Sequence, residues 1–413
     1  MAAGKKGEKG WIARIVLIVL CCLSGAVGLT VWVQPGTDPE TLQFEAQLLY
    51  LDLNETCAVA DVNKDGLPDL IAGRNWYAGP DFIPRPLREI EESGGYLANN
   101  GDHVYDVNGD GWIDVISGSF FGSEVYWFEN PGSEGLAKGV LWEKHVLGNI
   151  ESEQNEITFL RDLDGDNVPE LIVNSWNKKA PLLVWQLSSD ATGSPGLKKV
   201  VIGENANGHG MGFGDVNGDG REDILVGTGW YERPAERIFE RPWTFHPDWD
   251  IPASCPMLVA DLDQDGRSDI IVGMGHDFGL YWWQQEAPNP DGSTRWKEHV
   301  IDREFSQAHA LAWADLDGDG RSELVTGKRK WAHNGKDPGG NDPVVLFYYK
   351  WNPATAEFTR HTVSEGGAGT GLQICAADLN GDGRIDLAVS GKSGTYLLLN
   401  YSAPASRSTK ARP

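Results

Sequence analysis

One pattern, written seven times, constrains this chain more than any other feature. It reads Asp-x-Asp/Asn-x-Asp-Gly-x-x-Asp/Glu, with Asn167 in place of the Gly in the third copy, and runs straight into a short apolar segment. The copies begin at Asp61, Asp106, Asp162, Asp215, Asp261, Asp315 and Asp378. Self-similarity at a period of about fifty residues marks a solenoid or a propeller. Residues 70–72, 224–226 and 270–272 are short apolar runs that end at Gly, and residues 125–128, 182–185 and 344–349 are β-branched and aromatic, so both sets read as strands. Four strands in each of seven units predict an all-β fold, a seven-bladed β-propeller over residues 42–401.

The ends of the chain predict how the ring closes. Several units carry an outer-strand pattern, as in residues 142–147, 296–301 and 358–363, each with a His at the same place: His145, His299 and His361. A repeat of that kind is better explained by structure than by chemistry. Residues 44–49 match the pattern but precede any complete blade, and the last blade stops one strand short at residues 396–401. The first strand is therefore expected to complete the seventh blade and remove its free edge. Residues 402–413 read as a disordered tail.

Ahead of the propeller, Lys5, Lys6, Lys9 and Arg14 precede an uncharged apolar stretch over residues 15–33, about the length that spans a bilayer. Residues 1–34 thus read as a signal peptide, with Ser24, Gly25 and Ala26 as small residues for cleavage, or as an uncleaved signal anchor. The basic flank stays cytoplasmic, so either reading exports the propeller, membrane-anchored or free in a periplasmic or extracellular space. The whole chain has 35 basic and 60 acidic side chains, a net charge of −25. That balance argues against a nucleic-acid partner, whose binding begins with cationic side chains neutralising phosphates.

Each repeat places oxygen-bearing side chains at its positions 1, 3, 5 and 9. The sets are Asp61, Asn63, Asp65 and Asp69; Asp106, Asn108, Asp110 and Asp114; Asp162, Asp164, Asp166 and Glu170; and Asp215, Asn217, Asp219 and Asp223. Asp261, Asp263, Asp265 and Asp269, then Asp315, Asp317, Asp319 and Glu323, then Asp378, Asn380, Asp382 and Asp386 complete them. Carboxylates two residues apart around a sharp Gly turn can wrap one hard cation, and calcium takes six to eight such oxygens. The expected cofactor is structural Ca²⁺ at several sites.

These repeats resemble the FG-GAP/VCBS family, which also builds the propellers of integrin α-subunits, and the resemblance covers residues 42–401. The chain is also similar to the propeller part of aldos-2-ulose dehydratases. The first resemblance implies binding or adhesion, with a protein partner as one option. The second implies metal-assisted removal of a proton next to a carbonyl of an oxidised sugar. A propeller by itself decides neither.

Strand direction locates a second set of residues. The innermost strand of each unit runs into its acidic loop, so a residue six places earlier lies about 20 Å away, at the opposite end of the propeller. Those positions hold Glu55, Asn100, Glu156, His209, Cys255, His309 and Leu372. The loops that return to the same rim carry Phe120, Phe121, Trp176, His276 and Lys392, and the longest opens with Lys328, Arg329, Lys330, Trp331 and, two residues on, His333. Two His and a carboxylate, Glu156, His209 and His309, with His276 from a further blade, are a donor set for Zn²⁺ or another divalent metal. Basic and aromatic groups around them suit a carbohydrate or another acidic small ligand. The chain thus reads as an exported calcium-binding propeller that binds such a ligand at the rim. The alternative is a metal-dependent carbohydrate lyase or dehydratase. In it His209, His309, Glu156 or His276 takes the proton and Lys328 or Arg329 steadies the enolate. Cys57, Cys255 and Cys375 read as buried thiols, with Cys57 and Cys375 on opposite sheet faces.

Overall fold

The computed structural model describes residues 41–204, 207–252, 255–291 and 293–402. The N-terminal signal or anchor segment and the tail from residue 403 lie outside the described residues. No helix among the described residues is long and apolar enough to cross a membrane.

Seven four-stranded antiparallel sheets follow one another along the chain. Their innermost strands are Ala58–Ala60, Asp102–Tyr105, Asn155–Arg161, Met211–Gly214, Leu258–Ala260, Ala308–Ala314 and Ile374–Ala377. Blades 1 to 6 are continuous in sequence. Blade 7 takes its outer strand from the start of the propeller: Phe44–Tyr50 pairs antiparallel with Gly394–Asn400, Phe44 opposite Asn400. The expected closure is therefore present, and it extends one residue into the expected tail, because Ser402 Oγ accepts from Gln43 N at 2.7 Å. Among the described residues, helix is confined to Gly132–Lys138 and a short 3-10 turn at Ala332–Gly335.

The core is seven separate apolar clusters, one at each seam between neighbouring blades. This arrangement accounts for the apolar runs. Side chains alternate across a strand, and the second strand of each blade faces a seam on both sides. Leu70 thus packs toward blade 7 while Ile71 packs toward blade 2. The repeated His residues cover aromatic rings of the adjoining strand: His145 stacks on Trp127, His299 on Trp282 and His361 on Tyr348, with centroids 4.6, 4.3 and 4.7 Å apart.

The same geometry corrects the reading of the cysteines. Cys57 and Cys375 do occupy opposite faces of their sheets, but those sheets are neighbours, blades 1 and 7. Opposite faces then look at each other across the seam, and the two Sγ atoms lie 3.5 Å apart. Parity within a sheet excludes a pair only when both residues belong to that sheet.

Candidate functional site

The acidic loops form one end of the propeller, and their side chains do two different jobs. In every loop but the sixth, position 1 accepts from the backbone of positions 5 and 6: in the first loop Asp65 N and Gly66 N donate to Asp61. Position 9 opens the second strand and is buried, and where it is Asp it binds backbone through both oxygens. Asp69 accepts from Val62 N at 2.9 Å and from Gly79 N at 3.1 Å, which ties the loop to the far end of the third strand. Asp114, Asp223, Asp269 and Asp386 repeat both contacts. Burial raises these carboxyls despite the N–H donors, Asp69, Asp223 and Asp269 to about 6 and Asp114, Glu170 and Glu323 to about 7. Ligand atoms of Asp162, Asp164 and Glu170, and of Asp261, Asp263 and Asp265, gather within 4.8 Å of one another.

At the opposite end the innermost strands deliver Glu156 and His309, with His209 just ahead of the fourth, while His276 comes from the loop after a second strand. All four offer a ligand atom within 4.8 Å of the others. His309 Nε2 is 2.7 Å from Glu156 Oε1, His209 Nε2 is 3.5 Å from the same oxygen, and His276 Nε2 is 3.1 Å from His209 Nε2. Bonds of about 2.05 Å to a tetrahedral metal set ligand atoms roughly 3.3 Å apart, so these separations fit such an ion. The chemistry of the set, three imidazoles and a carboxylate, fits zinc or a similar divalent ion.

The electrostatics suit the same purpose. Burial, with the neighbouring imidazoles, drives His276 down to about 4, and burial lowers His309 as well, so both are neutral near pH 7. Burial works to raise Glu156, but hydrogen bonds from His209 and His309 outweigh it and hold the carboxyl well below its usual range. Asp337 stands behind His276. Its Oδ2 is 3.0 Å from His276 Nδ1, and its Oδ1 is 2.9 Å from Nδ1 of His333, which stacks on His276. A carboxylate on Nδ1 leaves Nε2 to face the cluster.

Beside the cluster lies a cavity of about 190 Å³ lined by Glu55, Tyr96, Phe120, Phe121, Glu156 and Arg329, among others. Arg329 and Lys328 are both buried, and both are already engaged. Arg329 makes a two-pronged ion pair with Glu55 at 2.7 and 2.8 Å, and Lys328 Nζ donates to Gln307 Oε1 at 2.7 Å. Lys392 differs. Its buried Nζ has no hydrogen-bond acceptor and sits 3.2 Å from the centroid of the Tyr96 ring. Burial brings this amine down to about 8.

Of the other rim positions, Asn100 donates to Asn155 O, Cys255 Sγ to Asn174 Oδ1, and Leu372 N to Glu55 O. Asp337 and Tyr96 escaped the sequence reading. Both lie in insertions between regular strands, where no repeat register assigns a residue to a face.

Residues 162–226 and 261–326 match the family described as FG-GAP-like repeat. Among curated proteins no relative matches. Two solved structures show a distant likeness. One is an exotype rhamnogalacturonan lyase, YesX, at 14% identity over 87% of this chain and 74% of that one, with a TM-score of 0.45. The other is BBS1N in complex with ARL6DN, at 14% identity over 91% and 98%, also with a TM-score of 0.45. The chain is a seven-bladed β-propeller carrying FG-GAP-like repeats.

Proposed function

We propose that this propeller binds an acidic carbohydrate in its central depression, at a divalent transition metal held by Glu156, His209, His276 and His309. The observation that carries the reading is the convergence of those four donors from four different blades. A closed ring assembles such a set only if each blade contributes a residue at the same height. When bound, the ion would take a carboxylate or carbonyl oxygen of the ligand as a fifth donor beside the four side chains and polarise it. The chain's own residues supply the rest. Lys392, whose ammonium rests on the Tyr96 ring without a hydrogen-bond acceptor, adds positive charge, and Phe120 and Phe121 offer aromatic faces for a sugar ring. Calcium in the acidic loops and export by residues 15–33 belong to the same proposal.

The test is metal content per chain, by elemental analysis, after purification with a calcium chelator. Wild type and His361→Ala should retain close to one transition-metal ion, and His209→Ala and His276→Ala well under half. Equal content in all four proteins, or none in any, would sink the reading.

A second reading, elimination across an acidic sugar, is favoured by Lys392. A buried amine titrating at about 8 can take a proton from the carbon next to a carboxyl. The proton passes to Nζ, its bonding pair forms the new double bond, and the leaving oxygen departs with the pair of the broken C–O bond. Ultraviolet absorbance of the unsaturated product distinguishes turnover from binding.

A further inference from the structure

Asp102 gathers a second group of polar side chains near the depression. Its carboxylate accepts from Arg88 Nη2 at 2.5 Å, Thr56 Oγ1 at 2.7 Å and Asn99 Nδ2 at 3.3 Å. Ser117 lies directly opposite Asp102 in the strand ladder. Three atoms of this group have no hydrogen-bond partner: Arg88 Nη1, Asn99 Oδ1 and Ser117 Oγ. Their residues are 2%, 7% and 5% exposed. Buried polar atoms are rarely left so, because each has lost its water without a replacement.

All three residues line one groove of about 810 Å³, a size typical of ligand sites. Aromatic rings of Phe121, Tyr126 and Phe128 form other parts of its wall. Asn99 and Phe121 also line the smaller cavity that reaches Glu156. The two spaces therefore adjoin, with Phe121 between them.

We propose that the ligand runs from the depression past Phe121 into this groove, and that it is an oligosaccharide whose second unit is a neutral sugar. The inference rests on the carbohydrate reading given above. A donor on Arg88, an acceptor on Asn99 and a hydroxyl on Ser117 that can do either match adjacent sugar hydroxyls, which also donate and accept. The exposed side chains of Glu89, Glu91, Glu124 and Glu153 surround the groove and repel a second acidic unit. The basic side chains do not reverse that sign. Arg88 is paired with Asp102, and Lys144 Nζ lies over the Tyr126 ring at 3.6 Å.

Calorimetric titration of the full chain tests this with two probes: glucuronate alone, and glucuronate linked to a neutral hexose, in either linkage order. The disaccharide in one order should bind at least about tenfold more tightly than glucuronate. Ser117→Ala should remove most of that gain, and Ser119→Trp, which occupies the groove from its exposed side, should remove all of it. Neither change should alter the affinity for glucuronate. If glucuronate binds and the second unit adds nothing in either order, the groove proposal falls and the depression reading stands. If neither probe binds, both fall together.

Discussion

His309 Nε2 lies 2.7 Å from Glu156 Oε1, although the two residues are 153 positions apart and belong to blades 3 and 6. His309 is fully buried. Its place six residues ahead of an acidic loop suggests an exposed rim residue whose loss costs little stability. The structure corrects that expectation, since the innermost strands converge at this end and their side chains cover one another. Among the described residues, His309→Ala takes from the buried Glu156 carboxylate its 2.7 Å partner and leaves His209 at 3.5 Å, with His276 close by. We expect a loss of about 1.5–3 kcal/mol in chemical denaturation of the metal-free protein, the scale of a hydrogen bond to a charged group. A loss below about 0.5 kcal/mol would show that the contact contributes nothing.

Asp337 bonds Nδ1 of both His276 and His333, so it acts by holding the His276 ring. Asp337→Asn should weaken metal binding by about 10- to 100-fold, the usual effect of removing a carboxylate behind a ligating His. Competition with a chromophoric chelator measures this. Unfolding of the metal-free protein should change little, because His333 and His276 remain stacked. Unchanged metal affinity would remove Asp337 from the site.

The blade count, the closure and the height of the four donors could all be read from the sequence for one reason. Each depends on a register that the acidic loop resets seven times. Counting back from Asp162 and Asp315 finds Glu156 and His309 without any knowledge of packing. Asp337, Tyr96 and the Asp102 group lie where that counting stops. Tyr96 belongs to a small hairpin inserted between blades 1 and 2, and Asp337 to the longest insertion in blade 6. Arg329 shows another limit. Its position at the rim was legible, but its partner Glu55 lies 274 residues away, and only the closed ring brings them together.

The clasp predicts a sharp difference between two truncations. A chain starting at Thr41 keeps the strand Phe44–Tyr50 and the bond from Leu42 N to Tyr348 Oη, 2.8 Å long. A chain starting at Asn54 loses both and leaves Gly394–Asn400 as an open edge with unpaired backbone groups. The first should be monomeric and folded. The second should melt at least several degrees lower and aggregate on size-exclusion chromatography. Matching melting curves and elution for the two would mean that blade 7 does not depend on this strand.

The buried carboxyls at position 9 give the acidic end a pH dependence of definite sign. Asp114, Glu170 and Glu323 titrate at about 7 in the folded chain, because burial disfavours their charge, and near 4 when unfolded. Between those values the folded chain binds more protons than the unfolded one. The stability these groups contribute is therefore present at low pH and lost as pH rises through about 7. The buried His276 and His309 work the other way, but their opposing slope fades over about one pH unit above about 6.5 as unfolded His loses its proton, and Lys392 begins to matter only near about pH 8. In chelator, the melting temperature should fall as pH is raised from about 6.5 to about 8. A cation that binds the ionised loops should oppose this fall, so the gain from added calcium should be larger at the higher pH. A melting temperature that rises with pH in chelator would mean that these carboxyls are ionised in the folded chain throughout. A calcium gain that shrinks with pH would mean that calcium binds elsewhere.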